Sequence, residues 1–248
     1  MKYILRTYRD KFSKDRFESF DVVVKDSDIW VGVDKESYSG LMKNFCTQQI
    51  FFLRNLLEDY IVKNQQFKMS LTPIEMEEGM PFVAKEMIKY SSKVGVGPMA
   101  TVAGYFADYI GNKIIQEFNI KEIVLENGGD IFVFLKKSMI VSIFAGDSVL
   151  SEKVGVVIPE GSFGICTSSG TVGHSYSEGI ADAVMVVCEN PSLADAYATF
   201  LANKIKSKDN VVDAINIAKS KKEILSCVII CQDNIGICGN FEILNLGY

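Results

Sequence analysis

The sequence is short of several things at once: it has one histidine, five prolines, no long apolar run and no excess of basic side chains. With 48% hydrophobic and 23% charged residues, the scarcity of proline argues against a disordered or collagen-like chain and for a globular one. A formal charge of −5 leaves no general basic field, which argues against nucleic acid or an anionic membrane as the main partner. An anionic ligand then requires a local device: a glycine-rich loop, a helix N-terminus or a divalent cation. No segment reaches the roughly 18 apolar residues of a membrane helix, and Met1–Asp10 carries charge within a short apolar stretch, so neither a membrane span nor a secretory leader is expected and the protein reads as cytoplasmic. The six cysteines contain no CxxC pair and are too sparse for a disulfide scaffold. On a strand, Cys227 and Cys231 face the same way among Val228, Ile229 and Ile230, and read as small buried hydrophobes rather than metal ligands.

Chemistry is concentrated between Gly164 and Asp182, the run that holds the single imidazole, His174. Glycines at 164, 170, 173 and 179 permit close backbone approach, and the hydroxyls of Thr167, Ser168, Ser169, Thr171, Ser175 and Ser177 are donors suited to phosphate or sugar oxygens. The same composition also suits an ordinary polar surface loop between two strands.

At 248 residues the chain is long enough for one large domain. Phe17–Val24 and Ile29–Val33 predict a hairpin, and Leu41 to Ile61 recurs apolar at helical spacing behind a cap at Asp34 or Ser37. Arg54 and Glu58 are placed to pair on that helix, for about 0.2–0.5 kcal/mol. Residues 65–78 read as a connection and 82–88 as a short helix. Val94–Gly111 predicts a glycine-proline turn entering a helix whose small residues Ala100, Ala103, Gly104 and Ala107 let a strand or flat ligand lie close, or simply pack tightly. Strand, turn and strand follow at Ile123–Phe134, bent at Asn127-Gly-Gly-Asp130, where Asn-Gly is a hairpin signal and the second glycine and flanking acids point toward a ligand. Short strands are expected at 139–144, 153–158 and 183–187, a helix from Pro191 to Ile205, another at 211–218, and strands at 224–231 and 234–238. The segments 103–114 and 194–205, each leading to a hairpin, echo one another and suggest a duplication with halves of about 1–150 and 151–248. Asp195 and Thr199, one helical turn apart, present a carboxylate and a hydroxyl on one face, hard oxygen ligands suited to Mg²⁺; a capping acid and a neutral helix residue fit the same spacing.

Three of these stretches, in order, resemble the superfamily of ApbE-type FAD:protein FMN transferases: Gly104-Tyr105 with Asp108, Asn127-Gly-Gly-Asp130-Ile, and Ser169-Gly170 followed by a histidine and then Asp195 and Thr199. The resemblance is closer to an uncharacterised ApbE-like (UPF) branch typified by GVGPMA, ENGGDI, CTSSGTVGHS and ADAV, present here at 95–100, 126–131, 166–175 and 181–184, and it covers most of the chain from Tyr8 onward. It implies a single α/β (α+β) domain with the T-shaped ApbE-like fold, antiparallel sheets packed with helices. It further implies a flavin or nucleotide pocket formed by Gly104, Tyr105, Asn127, Gly128, Gly129, Asp130, Thr167, Ser168, Ser169, Gly170 and Thr171, with FAD as the small-molecule ligand and Mg²⁺ on Asp195 and Thr199. In the superfamily FAD is split at its pyrophosphate, FMN passes to a hydroxyl of a target protein and AMP leaves; His174 would be the base at that hydroxyl. Ala103 stands where the transferases carry a lysine, and Ser175-Tyr-Ser-Glu-Gly179 replaces the segment that follows their histidine. The alternative implied by the branch is a binding or accessory protein for a partner enzyme, for example in sulfide assimilation to homocysteine in anaerobes. Exposed strands and compact size also allow a homodimer.

Overall fold

The structure, a computed structural model, describes residues 15–171 and 179–247. Its frame is an eight-stranded antiparallel sheet assembled from hairpins. The first pair is β1 (Phe17–Val24) and β2 (Ser27–Asp34), followed by β3 (Ile123–Asn127) and β4 (Asp130–Leu135). The second half holds β7 (Gly161–Ser168), β8 (Ala183–Cys188), β9 (Ser226–Cys231) and β10 (Asn234–Gly239), and the order across the sheet is β1-β2-β3-β4-β7-β8-β9-β10. A second sheet contains β5 (Met139–Ser142), β6 (Val154–Ile158) and β11 (Ile243–Asn245), in the order β11-β6-β5.

Alternation along the strands assigns the two faces. In β9, Cys227, Ile229 and Cys231 turn to a core shared with helices, while Val228 and Ile230 turn to the core shared with the small sheet. Every residue of β8 is buried, the pattern of a strand covered on both sides. Full burial of each such aliphatic side chain contributes about 1.5–3 kcal/mol.

The helices lie on one face. They are α1 (Met42–Lys63), α2 (Gln65–Met69), α3 (Phe82–Val94), α4 (Val102–Phe118) entered through a 3₁₀ turn at Pro98–Thr101, α5 (Pro191–Ala202) and α6 (Asn210–Lys219). α4 covers β3 and β4, α5 covers β7 and β8, and the two helices pack side by side. Thus hairpin, helices and hairpin succeed one another in each half of the large sheet. No helix among the described residues is long and apolar enough to cross a membrane.

Several expectations change. Asp34 does not cap α1, whose N-cap is Leu41 without a side-chain bond. Its carboxylate instead accepts from Ser37 Oγ at 2.8 Å and from the N–H groups of Lys121 and Glu122 at 3.0 Å, tying the end of β2 to the start of β3. The connection after α1 contains the helical turn α2, and α3 runs to 13 residues because Val83, Ala84, Met87, Ile88 and Ser91 recur on one buried face. Gly161–Ser168 is a central strand paired on both sides rather than part of a loop. Arg54 does pair with Glu58, at 2.7 Å, and also meets Asp26 and Ser27 across the first hairpin.

Candidate functional site

The site begins at the β3–β4 turn. Gly128 and Gly129 are its two central residues, with φ of 70° and 103°. Both values are positive, as a primed hairpin turn requires, and glycine adopts them without steric cost. Asn127 therefore flanks the bend instead of sitting in it, paired with Asp130, and its side-chain amide is free to reach out and donate to the Ala103 carbonyl at 3.1 Å. Gly129 N–H donates to Glu126 Oε1 at 2.7 Å, and Thr167 N–H donates to the Gly129 carbonyl at 3.3 Å. The turn is thereby joined to the start of α4 on one side and to the end of β7 on the other.

α5 brings the second acid. Asn190 caps this helix by accepting from Leu193 N–H at 3.1 Å and donates to Asp108 Oδ2 on α4 at 3.0 Å, fixing the two helices against one another. Where they cross, a Cβ on Gly104 would lie 2.5 Å from the Pro191 carbonyl oxygen and 2.9 Å from Asp195 Cβ, so only glycine fits. That closeness lets Asp195 Oδ2 accept Gly104 N–H at 2.9 Å, at the third residue of α4. A helix N-terminus has unpaired N–H groups and a positive dipole end, so it favours a carboxylate there.

Asp130 lies close by. It is 8% exposed, and burial first, then the charge of Asp195 and of Glu126, hold its carboxyl well above the usual range. Burial raises Asp195 to about 7, against the opposing pull of the Gly104 and Ala103 N–H groups. Two carboxyl groups this close cannot both ionise cheaply without a cation, so the pair is suited to share a proton or to take up positive charge. Among the described residues, no cluster of three or more His, Cys, Asp or Glu is placed to hold a metal ion. Thr199 lies one turn beyond Asp195 on α5 and is partly exposed.

Thr167 and Ser168 finish β7 beside the turn, with Cys166 in register with Asp130. Ser169, Gly170 and Thr171 continue outward and are held to the returning chain: Gly170 N–H donates to the Ala181 carbonyl at 2.8 Å, and Thr171 Oγ1 donates to Asp182 Oδ1 at 3.1 Å. Asp182 Oδ2 in turn accepts Gln232 N–H from the β9–β10 turn. His174, with Gly173, Ser175 and Ser177, lies outside the described residues. Tyr105 is buried in the helix-side core with its ring centroid 6.2 Å from that of Tyr109. The structure therefore gathers Gly104, Asn127–Asp130, Thr167 and Asp195 at one place.

Sequence reasoning does not single out Glu126, Asp182 or Gln232 as individual site residues. The acid before Asn-Gly-Gly signals Glu126, but Asp182 and Gln232 meet across 50 residues, and no local pattern announces such a contact.

Comparison with known proteins follows the same outline. A family described as AbpE bacteria matches residues 9–223. A UPF0280 protein of Methanocaldococcus jannaschii is 35% identical over 227 residues, covering 88% of this chain and 89% of its own. One from Methanopyrus kandleri is 37% identical over 229 residues, covering 89% and 90%. Among solved structures, the apo flavinyl transferase ApbE of Pseudomonas stutzeri superposes with a TM-score of 0.60 at 12% identity, covering 90% of this chain and 94% of that one. The flavin transferase ApbE of Vibrio cholerae gives 0.54 at 13% identity, covering 90% and 97%. At these identities the likeness concerns the fold.

Proposed function

The chain belongs to the AbpE bacteria family, and from that premise we propose that it binds a flavin nucleotide at the junction of α4, α5 and the β3–β4 turn and, with Mg²⁺, transfers FMN from FAD to a hydroxyl of a target protein. The observation that carries this reading is the Asp195–Gly104 contact beside Asp130: two high-lying carboxyl groups at one place, suited to take up a cation that would offset the charge of a pyrophosphate in a protein of formal charge −5.

Asp195 and Thr199, with Asp130 nearby, would hold Mg²⁺, which when bound supplies positive charge to the phosphoryl group in transfer. Asp195 loses its shared proton on taking up the cation, so affinity rises with pH through the neutral range. Ser168, on the helix face of β7 with Cys166, and Ser169 beyond it offer hydroxyl donors for phosphate or ribose oxygens, with Thr171 further out, whereas Thr167 alternates to the other face and contributes backbone. The turn glycines expose backbone without side chains, so that the flat ring system can approach. His174 accepts the proton of the attacking hydroxyl at a ring nitrogen. The resemblance to flavin transferases of 12% and 13% identity supports the fold in which this chemistry is carried out in those proteins.

A second reading, binding without transfer, draws on Ala103. This position offers only backbone, its carbonyl to Asn127 and its N–H to Asp195, where the resembled transferases have a lysine. Incubation with FAD and Mg²⁺, following AMP release for wild type and His174→Ala, separates the two. Transfer predicts AMP from the wild type and at least a hundredfold less from the variant; equal background from both leaves binding alone.

A further inference from the structure

Cys227 and Cys238 face each other directly across β9 and β10, and β10 is the last strand of the large sheet. No other two described cysteines are in register: Cys166 faces Val186 and Asp130, Cys188 faces Gly164, and Cys231 faces Asn234. Residues directly opposite in an antiparallel pair have Cα atoms about 4.5 or 5.5 Å apart, and both spacings lie inside the window of about 4.4–6.8 Å that a disulfide spans. Both side chains lie on the helix face of the sheet, as members of one core cluster.

From this placement we propose that Cys227 and Cys238 are a thiol pair that reacts with low-molecular-weight disulfides to form a reversible cross-strand disulfide.

The two thiols differ in the way such a reaction needs. Cys238 is 8% exposed on the outer strand, whereas Cys227 is 1% exposed and Cys46, Cys166, Cys188 and Cys231 are wholly buried. The hydrogen bond from Cys227 is the largest influence on Cys238; with Lys219 nearby it outweighs burial and brings the thiol down to about 7. The same contact and burial push Cys227 well up. Cys238 is therefore the attacking thiolate and Cys227 the resolving thiol. Cys166 and Cys231 are instead engaged with the carbonyls of Pro191 and Ile180.

The reaction balances with one external disulfide. The Cys238 thiolate attacks one of its sulfurs, the S–S bond breaks and the first small thiolate leaves. Cys227 then attacks the Cys238 sulfur of the mixed disulfide and expels the second. The protein loses two electrons and two protons, the small disulfide gains them as two thiols, and excess dithiol reverses the exchange. The product joins the outer strand covalently to its neighbour, closing a twelve-residue hairpin whose turn residue Gln232 holds Asp182.

The test equilibrates the full chain in glutathione buffers of increasing oxidised fraction, quenches in acid, alkylates under denaturing conditions and weighs the intact protein. Wild type is expected to go from six alkylated thiols to four. Cleavage before Asp233 followed by fragmentation should recover Cys227 linked to Cys238, and melting temperature should rise by roughly 5–10 °C and return on adding dithiothreitol. Cys238→Ser should keep five free thiols under all buffers, Cys227→Ser should stop at a glutathione adduct on Cys238 with four thiols left free, and Cys46→Ser should still lose two. In the wild type, six free thiols throughout, a glutathione adduct on Cys238 that does not resolve, or a link between any other pair would overturn the proposal. The peptide map of the wild type decides even if a serine variant fails to fold.

Discussion

Asp195 Oδ2 accepts the backbone N–H of Gly104 at 2.9 Å, so the acid of one helix occupies the N-terminus of another. This contact joins the two halves of the large sheet, because α4 covers β3 and β4 and α5 covers β7 and β8. It also needs Gly104 to be bare. A methyl group there would meet the Pro191 carbonyl, which is backbone and cannot rotate away.

Gly104→Ala is therefore expected to destabilise the protein by about 1–3 kcal/mol, despite the better helix propensity of alanine. Urea unfolding checks it. A variant as stable as wild type would mean that the helices are further apart than described.

The raised carboxyl of Asp195 links stability to pH. Its folded value of about 7 lies above the ordinary 3.8, so the folded state holds the extra proton between those values. Stability from this group is complete below pH 3.8 and is lost as pH rises through 7, with a slope of up to about 1.4 kcal/mol per pH unit for one proton. Glu122 works in the opposite sense: burial is outweighed there by Arg16 and the N–H groups of Lys136 and Lys137, and its contribution is lost only as pH falls below 4.5. Unfolding of wild type between pH 5 and 7 should thus show stability falling, and Asp195→Asn should flatten the fall. An equal slope in both proteins would remove Asp195 as the source.

The two turn glycines are expected to differ. At Gly129, φ is 103° and the nearest atom to an added Cβ is 3.6 Å away, so the cost of Gly129→Ala is conformational, about 1–2 kcal/mol. Gly128, at 70°, is in the region that asparagine tolerates, and primed turns accept it at the first central position. Gly128→Asn should leave the urea midpoint near that of wild type. Equal losses at both positions would contradict the turn geometry.

Much of this was legible in the sequence where one element decided its own structure. The helical spacing from Leu41 to Ile61 became α1, and alternation placed Cys227 and Cys231 on one buried face. β7 was not legible, because Gly164, Thr167 and Ser168 have the composition of a loop and become a strand through pairing on both sides with β4 and β8. Asp34 and Ser37 read as alternative caps because a short side-chain oxygen can accept the unpaired N–H groups of a helix start; instead they bond each other, and the other partners of Asp34, Lys121 and Glu122, lie some 87 residues away. At the site, Asn127, Asp130 and Asp195 were each visible as residue types. What sequence could not supply was that the asparagine reaches Ala103 and that Asp195 meets Gly104, since both contacts depend on how α4 and α5 pack.

Calorimetric titration of FAD into wild type and Asp195→Asn, with and without Mg²⁺ at pH 8, tests the central claim most directly. The account predicts saturable binding by wild type that tightens at least tenfold with Mg²⁺, and no Mg²⁺ effect in the variant. Absence of FAD binding to wild type, or the same Mg²⁺ response in both proteins, would contradict it.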